Sequence, residues 1–278
     1  MSTPEEQNEV AYRVPGLERG LRILSEFSPR EPVLGAPELS RRLDIPRTTV
    51  FRLLQTLESL GFLERADSGD RNYRLGVAVL RLGFEYLSSL ELTDHGLPLI
   101  EALRDDTGLS THIVIRDGRD VVFVAKAQSH AAAFNAVKVN VGTRLPAHAT
   151  THGHVLMGDL SLDELHQLYA DTPLERFTRH TPGTVEELYE RVKLDAERGY
   201  ATSESSFEHG ISVVSAPVRG DAGRIAAVVT TTVPRAQLDT TLLGSGLVEK
   251  VRETALQLSL RLNYRPAAEH RYMKALGL

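Results

Sequence analysis

The segment ELSRRLDIPRTTVFRLLQTLESLGFLE, residues 38–64, leaves the chain few choices of fold. Leu39 and Leu43 stand one helical turn apart. Asp44, Ile45 and Pro46 break the period, and Val50, Leu53, Leu54, Leu57 and Leu60 resume it until Gly61. Apolar residues at this spacing line one face of an α-helix, and proline and glycine end such a face. Two helices joined by a tight three-residue break follow, with Gly61 capping the second. Upstream, Leu17, Leu21, Ile23, Leu24 and Phe27 predict another helix that Ser28 and Pro29 end, and residues 29–37, PREPVLGAP, read as a turn. Downstream, residues 62–65 and 72–75 predict two short strands joined by the polar loop 66–70. Three helices and a hairpin in this order make a winged helix-turn-helix.

Such a unit reads duplex DNA when one face of its second helix is anchored in a core and the first turns of the other face carry hydrogen-bonding side chains. Val50, Leu53, Leu54 and Leu57 supply the anchor, and Arg47, Thr48, Thr49 and Arg52 supply the outward groups at the positive end of the helix dipole. Arg47 and Arg52 are candidates for base or phosphate contact. Thr48 and Thr49 suit phosphate oxygens or a thymine methyl, and Arg41 points away from the apolar face of the preceding helix. Arg65, Arg71 and Arg74 of the wing reach toward flanking backbone. The net charge of −5 is unevenly spread. Residues 13–74 hold eleven arginines, no lysine and nine acidic residues, near +2, while the remainder carries about −7.

At 278 residues the chain has length for two cores, and the remainder predicts a larger α+β unit. A linker helix, with Val79, Leu80, Leu82, Phe84 and Leu87 at helical spacing, offers an apolar face for a partner copy. A helix at 97–106 precedes strands at 110–116, 120–128 and 133–140, then helices at 151–158, 161–170 and 184–198. Strands at 211–218 and 224–233 and a long helix at 238–263 follow, which suggests an antiparallel sheet with helices around it. The expected organisation is a tail at 1–12, the winged helix-turn-helix at 13–75, the linker helix at 76–94, the second domain at 95–265 and a tail at 266–278.

No apolar run reaches the roughly 20 residues of a membrane-spanning helix, so no membrane partner is expected. Residues 1–10 are acidic and polar, unlike a secretory signal, which predicts a cytoplasmic protein. The absence of cysteine excludes disulfides, thiolate nucleophiles and Cys-based zinc sites.

The strings LERGLRIL, ELSRRLDIPRTTVFRLLQTLESLGFLE and YRLG, followed by GTRLPAHATTHGHVLM, RGYATSESSFEHGISVVSAPV and GRIAAVVTTTVP, resemble the isocitrate-lyase-regulator (IclR) family of bacterial transcription factors over about residues 14–265. The resemblance implies a GAF-like effector-binding domain that takes a small organic acid. It also implies a homodimer or homotetramer on a palindromic double-stranded operator of a catabolic operon, with no cofactor and no enzymatic activity. Carried over position by position, it assigns the carboxylate-holding turn to Thr151 and His152, at a helix start whose free N–H groups suit an anion. Thr230 and Thr232 take the place of hydroxyl-bearing residues on one strand face, and Phe134, Val137, Leu145 and Ile211 that of apolar lining. Ser203 and Val213 stand where the family members with the smallest ligands have a polar acid and a thiol, which turns the expectation toward a larger or aromatic acid.

His148, His152 and His154 crowd one segment, with His112 on a strand elsewhere. Metal ligation, contact with an anionic effector and ordinary buried histidines are the readings open to them. No H-E-x-x-H or G-x-S-x-G arrangement accompanies them, so neither a metal site nor catalytic residues are assigned. Ser203, Ser205 and Ser206 form a loop-like run, and the helical face of Glu186, Glu187, Glu190 and Arg191 is solvated. The competing class is a metal-binding or catalytic GAF-like protein that merely carries a helix-turn-helix.

Overall fold

The apolar period of the first sixty residues folds into three helices: α1 (Pro15–Ser25), α2 (Ala36–Leu43) and α3 (Arg47–Ser59). The structure is a computed structural model that describes residues 14–28, 30–66, 71–88, 91–130, 139–204, 207, 210–234, 238 and 246–266. By its contacts the chain divides into two units, Met1–Ser89 and Leu90–Leu278.

In the first unit, Ile23 of α1, Leu39 of α2 and Val50 and Leu54 of α3 are wholly buried. Asp44 makes the tight break between α2 and α3 with φ +52°, a left-handed conformation that Asp tolerates because its short polar side chain bonds locally. The Ser40 hydroxyl donates to the Ile45 carbonyl at 2.6 Å and braces that turn. Strands β1 (Leu34–Gly35), β2 (Leu63–Arg65) and β3 (Asn72–Leu75) pair antiparallel in the order β1-β3-β2. The hairpin expected at 62–65 and 72–75 is therefore present, its loop residues 67–70 lying outside the described ones, and the stretch read as a turn contributes β1. Two residues are too few to show any alternation in sequence. The apolar stripes are also narrower than their spacing suggests. Leu17 and Leu21 are 63% and 57% exposed and Leu60 is 60% exposed, since they lie off the face set by Ile23 and by Val50 and Leu54.

The linker stretch forms α4 (Ala78–Ser88), and α5 (Glu91–Thr107) begins before residue 94, earlier than the helix expected at 97–106. Pro98 sits inside α5 and removes one backbone bond, a loss outweighed by the buried stripe Leu92, Gly96, Ile100 and Leu103. The second unit is built on a six-stranded antiparallel sheet, ordered β6-β5-β4-β9-β8-β7. Its strands are β4 (Ser110–Asp117), β5 (Asp120–Ala127), β6 (Arg144–Pro146), β7 (Ala201–Glu204), β8 (Ser212–Arg219) and β9 (Ile225–Val233). The edge strands β6 and β7 have three and four residues, and β7 takes Ser203 out of the expected loop. Most of the strand expected at 133–140 lies outside the described residues, and no strand covers 139–140.

One face of the sheet packs on α5 and α9 (Leu247–Arg261), the latter shorter than the 238–263 expected. The other carries the short α6 (Thr151–Leu156), with α7 (Leu162–Tyr169) and α8 (Val185–Arg198) packed outside it. A tight 3-10 turn, Ala147–Ala149, feeds α6. Gly153 lets the two touch: a Cβ there would lie 1.9 Å from the Ala147 carbonyl oxygen.

Leu54→Ala is expected to cost about 2–5 kcal/mol in chemical denaturation, and the exposed Leu60→Ala under about 0.5 kcal/mol. Equal losses would contradict the assigned anchor face of α3. Gly153→Ala overpacks the junction with Ala147 and is expected to lower stability by about 1–3 kcal/mol; a wild-type melting temperature would contradict so close a contact.

Candidate functional site

Arg47 and Thr48 are exposed in the first turn of α3 and Thr49 is half-buried; Arg52 is exposed one turn later. The helix starts from Pro46 without a side-chain cap and has no acidic residue in its first turn, so its first N–H groups and positive dipole end carry no built-in anion. Among the described residues, Arg47 and Arg52 have no ion pair. Arg41, Arg65 and Arg74 differ. Arg41 forms a forked pair with Glu38 at 2.6 and 3.1 Å. Arg65 bonds Glu58 at 3.0 Å and lies over the Tyr73 ring at 4.4 Å, tying α3 to the hairpin, and Arg74 pairs with Glu64. Arg71 is exposed at the start of β3. Phe51, 48% exposed, and Gln55 share the outward face of α3 with Arg52, and the reading of sequence passed over both. The available signal was their absence from the 50, 53, 54, 57 stripe.

In the second unit the sheet face under α6 is unusually polar for a core. Thr230, His112 and Ser215 stand in register across β9, β4 and β8, all buried. One row further along, Thr232 pairs with Ser110 and Val213, and Val213 with Ser203. A cavity of about 50 Å³ lies beside this second row. Of the expected effector contacts it is lined by Leu145, Thr151, His152, Ser203, Ile211, Val213 and Thr232. Phe123, Val139, Thr150 and Phe207 line it as well. Phe134 and Val137 lie outside the described residues. Thr230 does not line the cavity, because its hydroxyl meets Ser215 Oγ at 2.9 Å and donates to the Val214 carbonyl. Alternation along β9 does put it on the same side as Thr232, but one rung further into the core.

Thr150 caps α6, its hydroxyl accepting from the Gly153 N–H, which leaves the N–H groups of Thr151 and His152 without helical partners. The Thr151 hydroxyl donates to Ser203 Oγ at 2.5 Å, linking the helix start to β7. Thr150 was missed in sequence because a cap is recognised only once the helix start is fixed. Phe123 was missed because it sits in a long apolar run of β5.

The crowded histidines part company in space. His148 Nε2 bonds the Glu175 carbonyl at 2.9 Å, and its ring meets Tyr169 and Phe177. His154 Nε2 donates to the His148 carbonyl at 2.8 Å, and its Nδ1 is 3.9 Å from a carboxylate oxygen of Asp195. His152 faces the cavity. Among the described residues no three His, Asp or Glu side chains converge as a metal-ligand set. Burial pushes His154 down to about 4 against its hydrogen bond to the His148 carbonyl, helped by the nearby Arg191, and pushes the Asp195 carboxyl up to about 6 against the pull of Arg191 and Arg198. Burial, then the neighbouring His154, takes His152 down to about 4. His152 and His154 are therefore held mostly uncharged at neutral pH, which disfavours a cationic role in holding an anion.

Two larger grooves, about 400 and 520 Å³, run along α9 and are lined by Arg219, Arg252, Lys250, Glu249 and Glu253. They are open to solvent. The smaller cavity is the one where buried hydroxyls, an imidazole and apolar walls meet, as a small-ligand site requires.

Residues 16–67 match the model of the IclR helix-turn-helix domain, and residues 84–260 that of the bacterial transcriptional regulator IclR C-terminal domain. The chain is 28% identical over 251 residues to the HTH-type transcriptional regulator XynR of Escherichia coli (strain K12), covering 90% of this chain and 98% of that one. Among solved structures, the protein RHA06195 of Rhodococcus sp. RHA1 is 32% identical, with a TM-score of 0.76 over 90% of this chain and 98% of its own. An IclR homologue of Microbacterium hydrocarbonoxydans, solved with 4-hydroxybenzoate, shares the fold at a TM-score of 0.75 and 23% identity, over 89% of this chain and 98% of its own. With both of its units matched by models of one family, this chain belongs to the IclR family of bacterial transcriptional regulators.

Proposed function

We propose that the chain senses a small organic acid, aromatic in character, in the cavity beside α6, and that the acid controls how tightly α3 holds an operator, as in a regulator of a catabolic operon. One observation carries this reading. Thr151, Ser203 and Thr232 bring hydroxyls, and His152 an imidazole, to a cavity whose apolar walls include Phe123, Leu145, Ile211 and Val213. Hydroxyl and N–H donors suit a carboxylate, and the apolar walls suit a ring or chain. Ser203 and Val213, standing in place of a polar acid and a thiol, make the pocket less polar, which suits a larger or aromatic acid. The 4-hydroxybenzoate bound to the Microbacterium homologue supports the aromatic class.

On the DNA side, Arg47, Arg52 and Thr48 are the groups for base edges and phosphates, with Thr49 beside the backbone and Phe51 and Gln55 extending the face. Arg71 serves the flanking backbone. Arg41 and Arg65 make their contact only by exchanging a carboxylate partner for a phosphate, so they count for less. Operators of this kind are palindromic when the protein binds as a dimer or tetramer, which is the assembly proposed here, in the cytoplasm. No helix among the described residues is long and apolar enough to cross a membrane. An acid moves the DNA equilibrium only as far as it prefers one of the two protein states.

Arg47→Ala and Arg52→Ala are each expected to weaken binding to duplexes selected from a random pool and to lower the slope of log K against log salt by about 1 per lost phosphate contact. Arg41→Ala is expected to change both less, and a uniform effect in fluorescence anisotropy would contradict the ranking. Thr232→Val is expected to weaken calorimetric binding of benzoate-type acids about tenfold or more; unchanged affinity would remove β9 from the site.

Acid is expected to destabilise the second unit. His152 and His154, and His112 nearby at about 3, titrate in the fold below their ordinary 6.5, so the unfolded chain takes up the protons first as pH falls. Stability is thus full above pH 6.5 and falls toward pH 4, each histidine contributing on the order of 1.4 kcal/mol per pH unit. Asp195, raised to about 6, works in the opposite direction and offsets about one of the three. A melting temperature that is flat from pH 7 to pH 4.5 would contradict their burial as neutral groups.

A further inference from the structure

His112 stands on β4 with only 1% of its surface exposed, and neither ring nitrogen has a hydrogen-bond partner. Its strand neighbours do not serve it. Thr230, across the ladder on β9, bonds Ser215 and the Val214 carbonyl, and Lys126, across on β5, donates to the Val139 carbonyl at 2.5 Å. The ring of His112 meets that of Phe123 edge to face at 5.4 Å. The Phe123 ring also meets that of His152 edge to face, at 5.3 Å and 79°, and the Nδ1 of His152 is likewise buried without a partner. Three unpartnered nitrogens on two imidazoles thus border one phenyl ring, and that ring is a wall of the cavity.

Buried polar atoms are nearly always satisfied, and each exception marks a missing partner. The chemistry of the pair narrows what the partner is. Burial, with His152 and Lys126 near, takes His112 down to about 3, so at neutral pH each ring carries one N–H donor and one bare acceptor nitrogen. A carboxylate only accepts and draws no charge from two neutral rings; an ammonium only donates. A hydroxyl does both. The cavity of about 50 Å³ holds a few waters and no aromatic acid, so a ligand of that size enters only as a wall gives way. His152 already lines the cavity, and Phe123 is the wall whose displacement would open His112 to it.

We propose that His112 and His152 form a second end of the effector site, a two-imidazole subsite beside Phe123 that takes the hydroxyl of a hydroxy acid while the Thr151, Ser203 and Thr232 end takes its carboxylate. This deepens the reading of the cavity as an organic-acid site and rests on it. His112 thereby sets specificity: it selects acids with a hydroxyl remote from the carboxylate over the same acids without one, and over diacids.

Isothermal titration calorimetry on the full chain with benzoate, 3-hydroxybenzoate, 4-hydroxybenzoate and terephthalate tests this, with His112→Phe and His112→Gln beside the wild type. In the wild type one hydroxybenzoate is expected to bind about tenfold or more tighter than benzoate, with terephthalate the weakest. In His112→Phe that advantage is expected to collapse, and His112→Gln, which keeps a donor and an acceptor, to recover part of it even if the Phe variant fails to fold. Equal affinities for benzoate and both hydroxybenzoates, an advantage that survives in both variants, or tightest binding of terephthalate would overturn the subsite and leave the acid site standing. In those cases bridging water is the partner of the imidazoles. No binding of any of the four acids would overturn the aromatic-acid reading, and the subsite with it.

Discussion

Placing hydroxyls and imidazoles on a buried sheet face is the constraint on which the second unit depends. A buried polar group without a partner costs about 1–3 kcal/mol, so such a face is stable only where neighbours are supplied atom by atom. Ser215 and Thr230 on β8 and β9 supply one another, and α6 supplies Ser203 on β7 through Thr151, while His112, His152 Nδ1 and the Thr231 hydroxyl are left without partners. For that the helix must lie close on its own entry turn, which Gly153 allows by presenting no Cβ to Ala147. Thr150 then caps it, Thr151 ties it to β7, and the unpaired first-turn N–H groups are left beside the cavity. The packing contacts of α6 thus place the polar groups that line the cavity.

The first unit solves a simpler problem. Its core is apolar, from Ile23 and Leu39 to Leu54 and Leu63, with the Tyr73 hydroxyl a buried polar atom within it. What distinguishes α3 is that its arginines are not used in the packing. Arg65 of β2 is spent on holding the hairpin and Arg41 of α2 on its own helix, while Arg47 and Arg52 of α3 have no ion pair among the described residues. A structural ion pair and a phosphate contact draw on the same guanidinium, so arginines that are numerous in sequence divide into two kinds in the fold.

The helix-turn-helix was legible from sequence because its signals are local: apolar spacing, Pro46 and Gly61, and a hairpin pattern. The strands β4, β5, β8 and β9 were legible for the same reason. The edge strands β6 and β7 were not, since three or four residues carry no period, and Pro98 disguised the start of α5. In the cavity, Thr151, His152, Ser203 and Thr232 followed from the family resemblance and share one lining. Thr230 and Thr232 differ although their spacing is identical in kind, because the cross-strand partner of each decides whether its hydroxyl is free. His112 carried no local signal. Only the sheet register brings it to Phe123 and His152, 11 and 40 residues away in the chain.

A regulator of this kind is defined by coupling between its two units, and coupling is reciprocal. The most direct measurement is the affinity of the full chain for an operator duplex, by fluorescence anisotropy, with and without a saturating hydroxybenzoate, beside the affinity for that acid with and without the duplex. The two ratios are expected to be equal and to differ from one by about 5-fold or more, the usual size of allosteric coupling. An acid that binds while leaving the DNA affinity unchanged would contradict an effector-responsive switch.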